Sequence, residues 1–89
     1  MSKKLRFSQT SVQAIILAYM YDNYPKNTWE LYKGLGFVKF NALITAYREL
    51  RGLGLFGVCG GGPLKGNTCL SELGTIVMFR TYNCLEDQQ

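Results

Sequence analysis

Between Gly60 and Gly66 the chain runs Gly-Gly-Gly-Pro-Leu-Lys-Gly, a stretch that neither a helix nor a central strand can be threaded through. On either side lie short runs with strand character, Leu55-Phe56-Gly57-Val58-Cys59 and Asn67-Thr68-Cys69-Leu70. Two such runs around a glycine-rich centre predict a β-hairpin with a flexible tip, spanning residues 55–70. Everything before it has a helical period. The hairpin therefore divides an 89-residue chain into a helical body and one further segment, and so short a chain holds one domain with a modest core.

Upstream, three helices are expected. The first covers residues 7–24: Ser8 is placed to cap it, with Phe7 and Val12 as a hydrophobic staple, and Thr10-Ser11-Val12-Gln13 offers an alternative capping box. Val12, Ile15, Ile16 and Tyr19 share one face, while Leu17, Met20, Tyr21 and Tyr24 form a second apolar strip before Pro25. The second helix, residues 27–35, starts at Asn27 with Glu30 three residues on, and Gly36 stops it. A tight turn at Phe37-Val38 leads into the third, residues 39–53. There Leu43, Ala46, Tyr47, Leu50 and Leu53 occupy one side, while Asn41, Thr45 and Arg48 fall within about 60° of each other on the other. After the hairpin, Ser71 caps a last helix over residues 72–85. One of its faces carries Leu73, Ile76, Val77 and Cys84, and the other Met78, Phe79, Tyr82 and Leu85. A basic arm, residues 1–6, and a polar tail, residues 86–89, flank this α+β, mainly α domain.

Composition narrows the function classes. With 47% apolar and 18% charged residues the chain is too hydrophobic to stay unfolded. It contains no histidine, which excludes Ser-His and Cys-His nucleophile pairs and every histidine-containing zinc site. The six carboxylates are scattered, so no enzyme, cofactor, metal or small-molecule site is expected. Ten Lys and Arg against six Asp and Glu give a net charge of +4, which favours an anionic partner. The uncharged run from Phe7 to Tyr21 is too short and too polar at its start to span a bilayer, and no signal-peptide cleavage pattern follows it. An intracellular protein is expected.

Helix, short helix, helix, hairpin, helix is the order of a winged helix-turn-helix. Arg48-Glu49-Leu50-Arg51-Gly52-Leu53-Gly54-Leu55 resembles the end of a recognition helix entering the wing. Cys69-Leu70-Ser71-Glu72-Leu73-Gly74 resembles the Leu-Thr/Ser-x-x-Gly passage into the last helix of MarR- and PadR-like regulators. Ile16-Leu17-Ala18-Tyr19-Met20-Tyr21-Asp22-Asn23 and Thr28-Trp29-Glu30-Leu31-Tyr32-Lys33 are similar to small dimeric winged-helix proteins of viruses infecting hyperthermophilic archaea. The resemblance implies a viral, sequence-specific regulator that binds double-stranded DNA as a homodimer in the host cytoplasm.

On that reading Asn41, Thr45 and Arg48 read bases: an amide can pair bidentately with adenine, a threonine methyl can touch a thymine methyl, and a guanidinium can fork onto guanine. Lys39 stands at the start of the helix, and Lys33 and Lys65 are phosphate contacts. Taken alone, the same stripe would be a solvated face. Lys3, Lys4 and Arg6 are placed either to enter a minor groove or merely to solubilise the terminus. Gly60-Gly61-Gly62 lacks the Gly-Lys-Ser/Thr ending of a phosphate loop, and Trp29 and the tyrosines are spaced for core or interface packing rather than base stacking. The competing reading is a winged-helix protein-interaction module that binds no DNA.

Cys59 and Cys69 lie symmetrically about Leu64, so a hairpin closing there sets them opposite each other and in reach of a disulfide. The first and last helices carry more apolar surface than one helix usually hides in its own chain. A twofold dimer through Ile15, Tyr19, Met78, Phe79, Tyr82 and Cys84 would cover it.

Overall fold

A computed structural model describes residues 5–36 and 38–82. Among them the chain forms α1 (Val12–Asp22), α2 (Thr28–Leu35), α3 (Phe40–Gly52), β1 (Phe56–Val58), β2 (Thr68–Leu70) and α4 (Glu72–Thr81). Lys3, Lys4, Phe37, Cys84, Leu85 and the tail 86–89 lie outside the described residues.

The expected start of α1 is corrected. Ser11 is the N-cap, its hydroxyl accepting from the Ala14 N–H at 3.1 Å. Ser8 instead closes a turn, its carbonyl accepting from the Ser11 N–H and hydroxyl at 3.0 and 2.7 Å. Residues 7–10 are thus committed to a strap rather than a helical turn. The Phe7 N–H donates to the fully buried Thr81 hydroxyl of α4 at 3.1 Å, tying the start of the chain to its last helix.

At α2 the expected cap holds. Asn27 accepts from the Glu30 N–H at 2.9 Å, and the Glu30 carboxylate reaches back to the Lys26 N–H at 2.9 Å. Gly36 ends the helix in the left-handed region at φ 75°, which an L side chain rarely adopts.

The core lies around α1. Ile16, Leu17 and Met20 are fully buried and meet Leu31, Leu43, Leu50, Leu55 and Val77 from the other elements. The first strip of α1 and the Leu17–Met20 part of the second are therefore used by its own chain, because the helix packs against α3, α4 and β2 together, while Tyr21 and Tyr24 stay exposed. Tyr19 is absorbed as well: a Cβ at Gly34 of α2 would overlap its hydroxyl, so the missing side chain is what lets the ring settle there. Leu53, expected among the buried residues of α3, is the exposed C-cap of that helix.

β1 and β2 pair antiparallel, with Phe56 opposite Leu70, Gly57 opposite Cys69 and Val58 opposite Thr68. The ribbon is anchored to the α1–α2 connection: the Thr68 N–H donates to the Pro25 carbonyl at 2.9 Å and the Asn67 amide to the Tyr24 carbonyl at 2.8 Å. The tip is a built turn, a single 3₁₀ turn over Gly62–Leu64 with Pro63 near its start.

Ser71 joins ribbon to α4. Its N–H donates to the Leu55 carbonyl, its hydroxyl donates to the Gly54 carbonyl at 2.7 Å, and the same oxygen caps Gly74 at 3.0 Å. A Cβ at Gly74 would run into the Leu55 carbonyl, which gives the Leu-Ser-x-x-Gly passage a steric reason. Three helices, a two-stranded wing and a closing helix make this a winged helix-turn-helix.

Candidate nucleic-acid interface

The buried residues of α3 are Leu43, Ala46 and Leu50. At 100° per residue, Asn41, Thr45 and Arg48 point almost directly away from them, and all three are exposed. The stripe read from the sequence is therefore one continuous face. The Thr45 hydroxyl donates to the Asn41 carbonyl at 3.0 Å, which leaves its methyl as the apolar contact group. Arg51, in the last turn of α3, adds an exposed cation that the sequence reading passed over.

Helix caps set α3 apart. Ser11, Asn27 and Ser71 each place a side-chain oxygen on a helix N-terminus, whereas Lys39, the N-cap of α3, makes no side-chain cap bond. Lys39 and Lys33 are exposed at the start of α3 and in the last turn of α2. Lys65 is exposed where the wing-tip turn ends, apart from the α3 stripe.

At the start of α3, on the side turned toward α2, Phe40 joins Trp29 and a tyrosine that the sequence reading assigned to packing. Trp29, Tyr32 and Phe40 form a ring cluster, with centroids 5.4 Å apart for Trp29–Tyr32, 5.2 Å for Tyr32–Phe40 and 6.2 Å for Trp29–Phe40. Tyr32 packs on the core, but Trp29 is 55% and Phe40 39% exposed. By helical spacing Phe40 lies about 20° from Tyr47 and about 60° from Leu43, at the edge of the apolar side of α3; that it meets α2 depends on the turn between the helices.

The disulfide expectation is corrected. Cys59 and Cys69 are free thiols. The hairpin centres on Pro63, one residue before Leu64, so Cys69 faces Gly57, and the Cys59 N–H donates to the Asn67 carbonyl at 2.8 Å. The two cysteines are diagonal neighbours on one side of the ribbon, not a facing pair. Both line an open cleft of about 460 Å³ with Met20, Tyr21, Tyr24 and Leu64. Burial pushes the Cys69 thiol up, and its hydrogen bond to the Cys59 side chain acts in the same direction.

The expected dimer surface also changes. Met78 is buried in its own chain's core and cannot serve a partner. Ile15, Tyr19, Phe79 and Tyr82 are half-buried against that core. The Tyr82 hydroxyl donates to the Ala14 carbonyl at 2.7 Å, and burial raises its pKa above the usual tyrosine value. What stays open along α1 and α4 is Tyr21, 46% exposed with its ring edge-on to Phe79 at 5.4 Å, and the exposed Leu73.

Among the described residues, no group of three or more carboxylate and thiol side chains is arranged to hold a metal, and no helix is long and apolar enough to cross a membrane. No protein-family model and no curated protein sequence matches the chain. Among solved structures, the chain is similar to the crystal structure of F-93 from SSV1, a virus of a hyperthermophilic archaeon, with a TM-score of 0.63 at 24% identity over 97% of this chain and 96% of that one.

Proposed function

We propose that this protein is a viral transcriptional regulator that binds double-stranded DNA sequence-specifically as a homodimer. One observation carries the reading: α3 turns Asn41, Thr45 and Arg48 outward, directly opposite its buried Leu43, Ala46 and Leu50. In a winged helix that is the surface a recognition helix lays in the major groove, with residues of its first half nearest the base edges. Asn41 is suited to adenine, the Thr45 methyl to a thymine methyl and Arg48 to guanine. Lys39 and the uncapped N–H groups at the start of α3 suit a phosphate, as do Lys33 and the wing-tip Lys65. The net charge of +4 supports the same partner.

The Leu70-Ser71-Glu72-Leu73-Gly74 passage, with its steric reason at Gly74, supports a MarR- or PadR-like assignment. The likeness to F-93 agrees with the viral source at the level of fold. Dimerisation is supported by the exposed Tyr21 at the end of α1, its ring edge-on to the half-buried Phe79, and by the exposed Leu73 on another face of α4. A twofold pair would set two recognition helices about 34 Å apart, one turn of DNA.

Selection of bound sequences from random duplex DNA tests this reading, with sedimentation of the free protein and of the complex. A palindrome bound by two protomers, losing on the order of 10³-fold in affinity between 50 and 200 mM salt, is the expected result. A monomer without duplex binding at low salt would instead leave the scaffold to a protein partner.

A further inference from the structure

We propose that Phe40 reads a thymine methyl and that Trp29 and Tyr32 hold it in position for that contact. The inference rests on the DNA reading above and extends it from the polar stripe of α3 to the aromatic cluster at the start of the helix. Phe40 is the first residue of α3 and precedes Asn41, so it belongs to the part of the helix that enters the groove. The core does not need its ring. Leu43, Ala46 and Leu50 make the buried face, and Phe40 stays 39% exposed. Its ring is nevertheless held, standing at 89° to Tyr32 and 62° to Trp29. A side chain fixed in this way loses little freedom on docking.

Charge decides what covers the cluster. Lys26, Lys33 and Lys39 are all exposed around it in the chain, and the nearby Glu30 carboxylate is turned onto the Lys26 backbone N–H. Exposed rings with exposed lysines close by in the chain suit the major groove, where phosphate rails flank base edges. The apolar group on those edges is the thymine methyl, for which phenylalanine is an appropriate partner. This also accounts for a recognition helix that begins with an aromatic residue and carries few cations in its first half.

The test uses the duplex recovered by selection with the wild-type protein, remade with each thymine in turn replaced by deoxyuridine, which lacks only the methyl. At one position per half-site, wild-type affinity is expected to fall about fourfold. In Phe40→Ala that penalty should vanish, while Arg48→Ala should retain it. The chain's single tryptophan is Trp29, so its emission should shift to the blue when the methylated duplex binds. A duplex bound equally well with and without each methyl overturns the proposal, as does a deoxyuridine penalty that survives in Phe40→Ala. In both cases DNA binding itself stands. Absence of binding to any duplex removes the DNA reading and this inference with it. Circular dichroism of Phe40→Ala, whose ring lies outside the core, confirms that the comparison is between folded proteins.

Discussion

α1 and α3 are of similar length, eleven and thirteen residues, yet the fold uses them in opposite ways. α1 has apolar residues around most of its circumference and sits where α3, α4 and β2 converge, with Ala14, Ile16, Leu17 and Met20 buried. α3 buries Leu43, Ala46 and Leu50, half-buries Ile44 and Tyr47 beside them, and leaves the opposite side, with Asn41, Thr45 and Arg48, to solvent. The lesson concerns surplus hydrophobicity. An all-round apolar helix can signal a partner chain, but it can equally signal the middle of its own domain. Here α1 is the middle, and the case for a dimer moves from the whole of α1 and α4 to the exposed Tyr21, beside Phe79, and the separate exposed Leu73.

If α1 is scaffold and α3 is reader, substitutions in the two should separate stability from binding. Leu17→Ala is expected to cost about 2–5 kcal/mol of stability in denaturant unfolding. Asn41→Ala, exposed on α3, should stay within about 0.5 kcal/mol of wild type in the same assay. Similar losses for both would erase the contrast. Gly74→Ala forces a methyl against the Leu55 carbonyl and should destabilise by about 1–3 kcal/mol, read as a lowered Tm.

The next test works within the reading surface. Arg48→Ala should weaken the selected duplex by about 1–3 kcal/mol and relax preference at one base position. Lys65→Ala on the wing should weaken all duplexes alike and reduce the salt slope by about 1. Loss of the same sequence preference in both variants would show that wing and helix do not divide the work.

The smallest effect concerns the wing cysteines. The Cys69 thiol titrates above its ordinary value, so site-resolved alkylation of Cys69 should need a higher pH than that of an unfolded thiol. A folded-state pKa that is raised in this way stabilises the native protein below the ordinary thiol pKa, and the contribution is lost as pH rises through the folded value. Cys59→Ser should bring the alkylation midpoint of Cys69 part of the way down, because burial is the larger cause and remains. No movement at all would mean that the two thiols do not meet.

Much of the fold is legible in the residues. Asn27, Glu30 and Gly36 bound α2, Gly52 and Gly54 mark the end of α3, and Ser71 caps α4, because capping and left-handed turns depend on atoms only a few positions apart. The polar stripe of α3 is legible for the same reason: a helix converts spacing into direction. The cap of α1 is less legible, falling on Ser11 rather than on Ser8 or Thr10. The choice was settled by Thr81, seventy-odd residues away, which takes the Phe7 N–H and holds the first residues as a strap.

By itself the sequence determined the order and type of the elements and the outward face of α3, all consequences of local backbone preference and helical period. Tertiary structure alone decided the rest. It placed α1 at the centre, so that all of one strip and the Leu17–Met20 part of the other are spent inside the chain. It shifted the hairpin centre to Pro63, so that Cys59 and Cys69 lie diagonally, and it brought Phe40 onto Trp29 and Tyr32. These outcomes depend on packing between segments distant along the chain, where a shift of one residue exchanges which side chains meet.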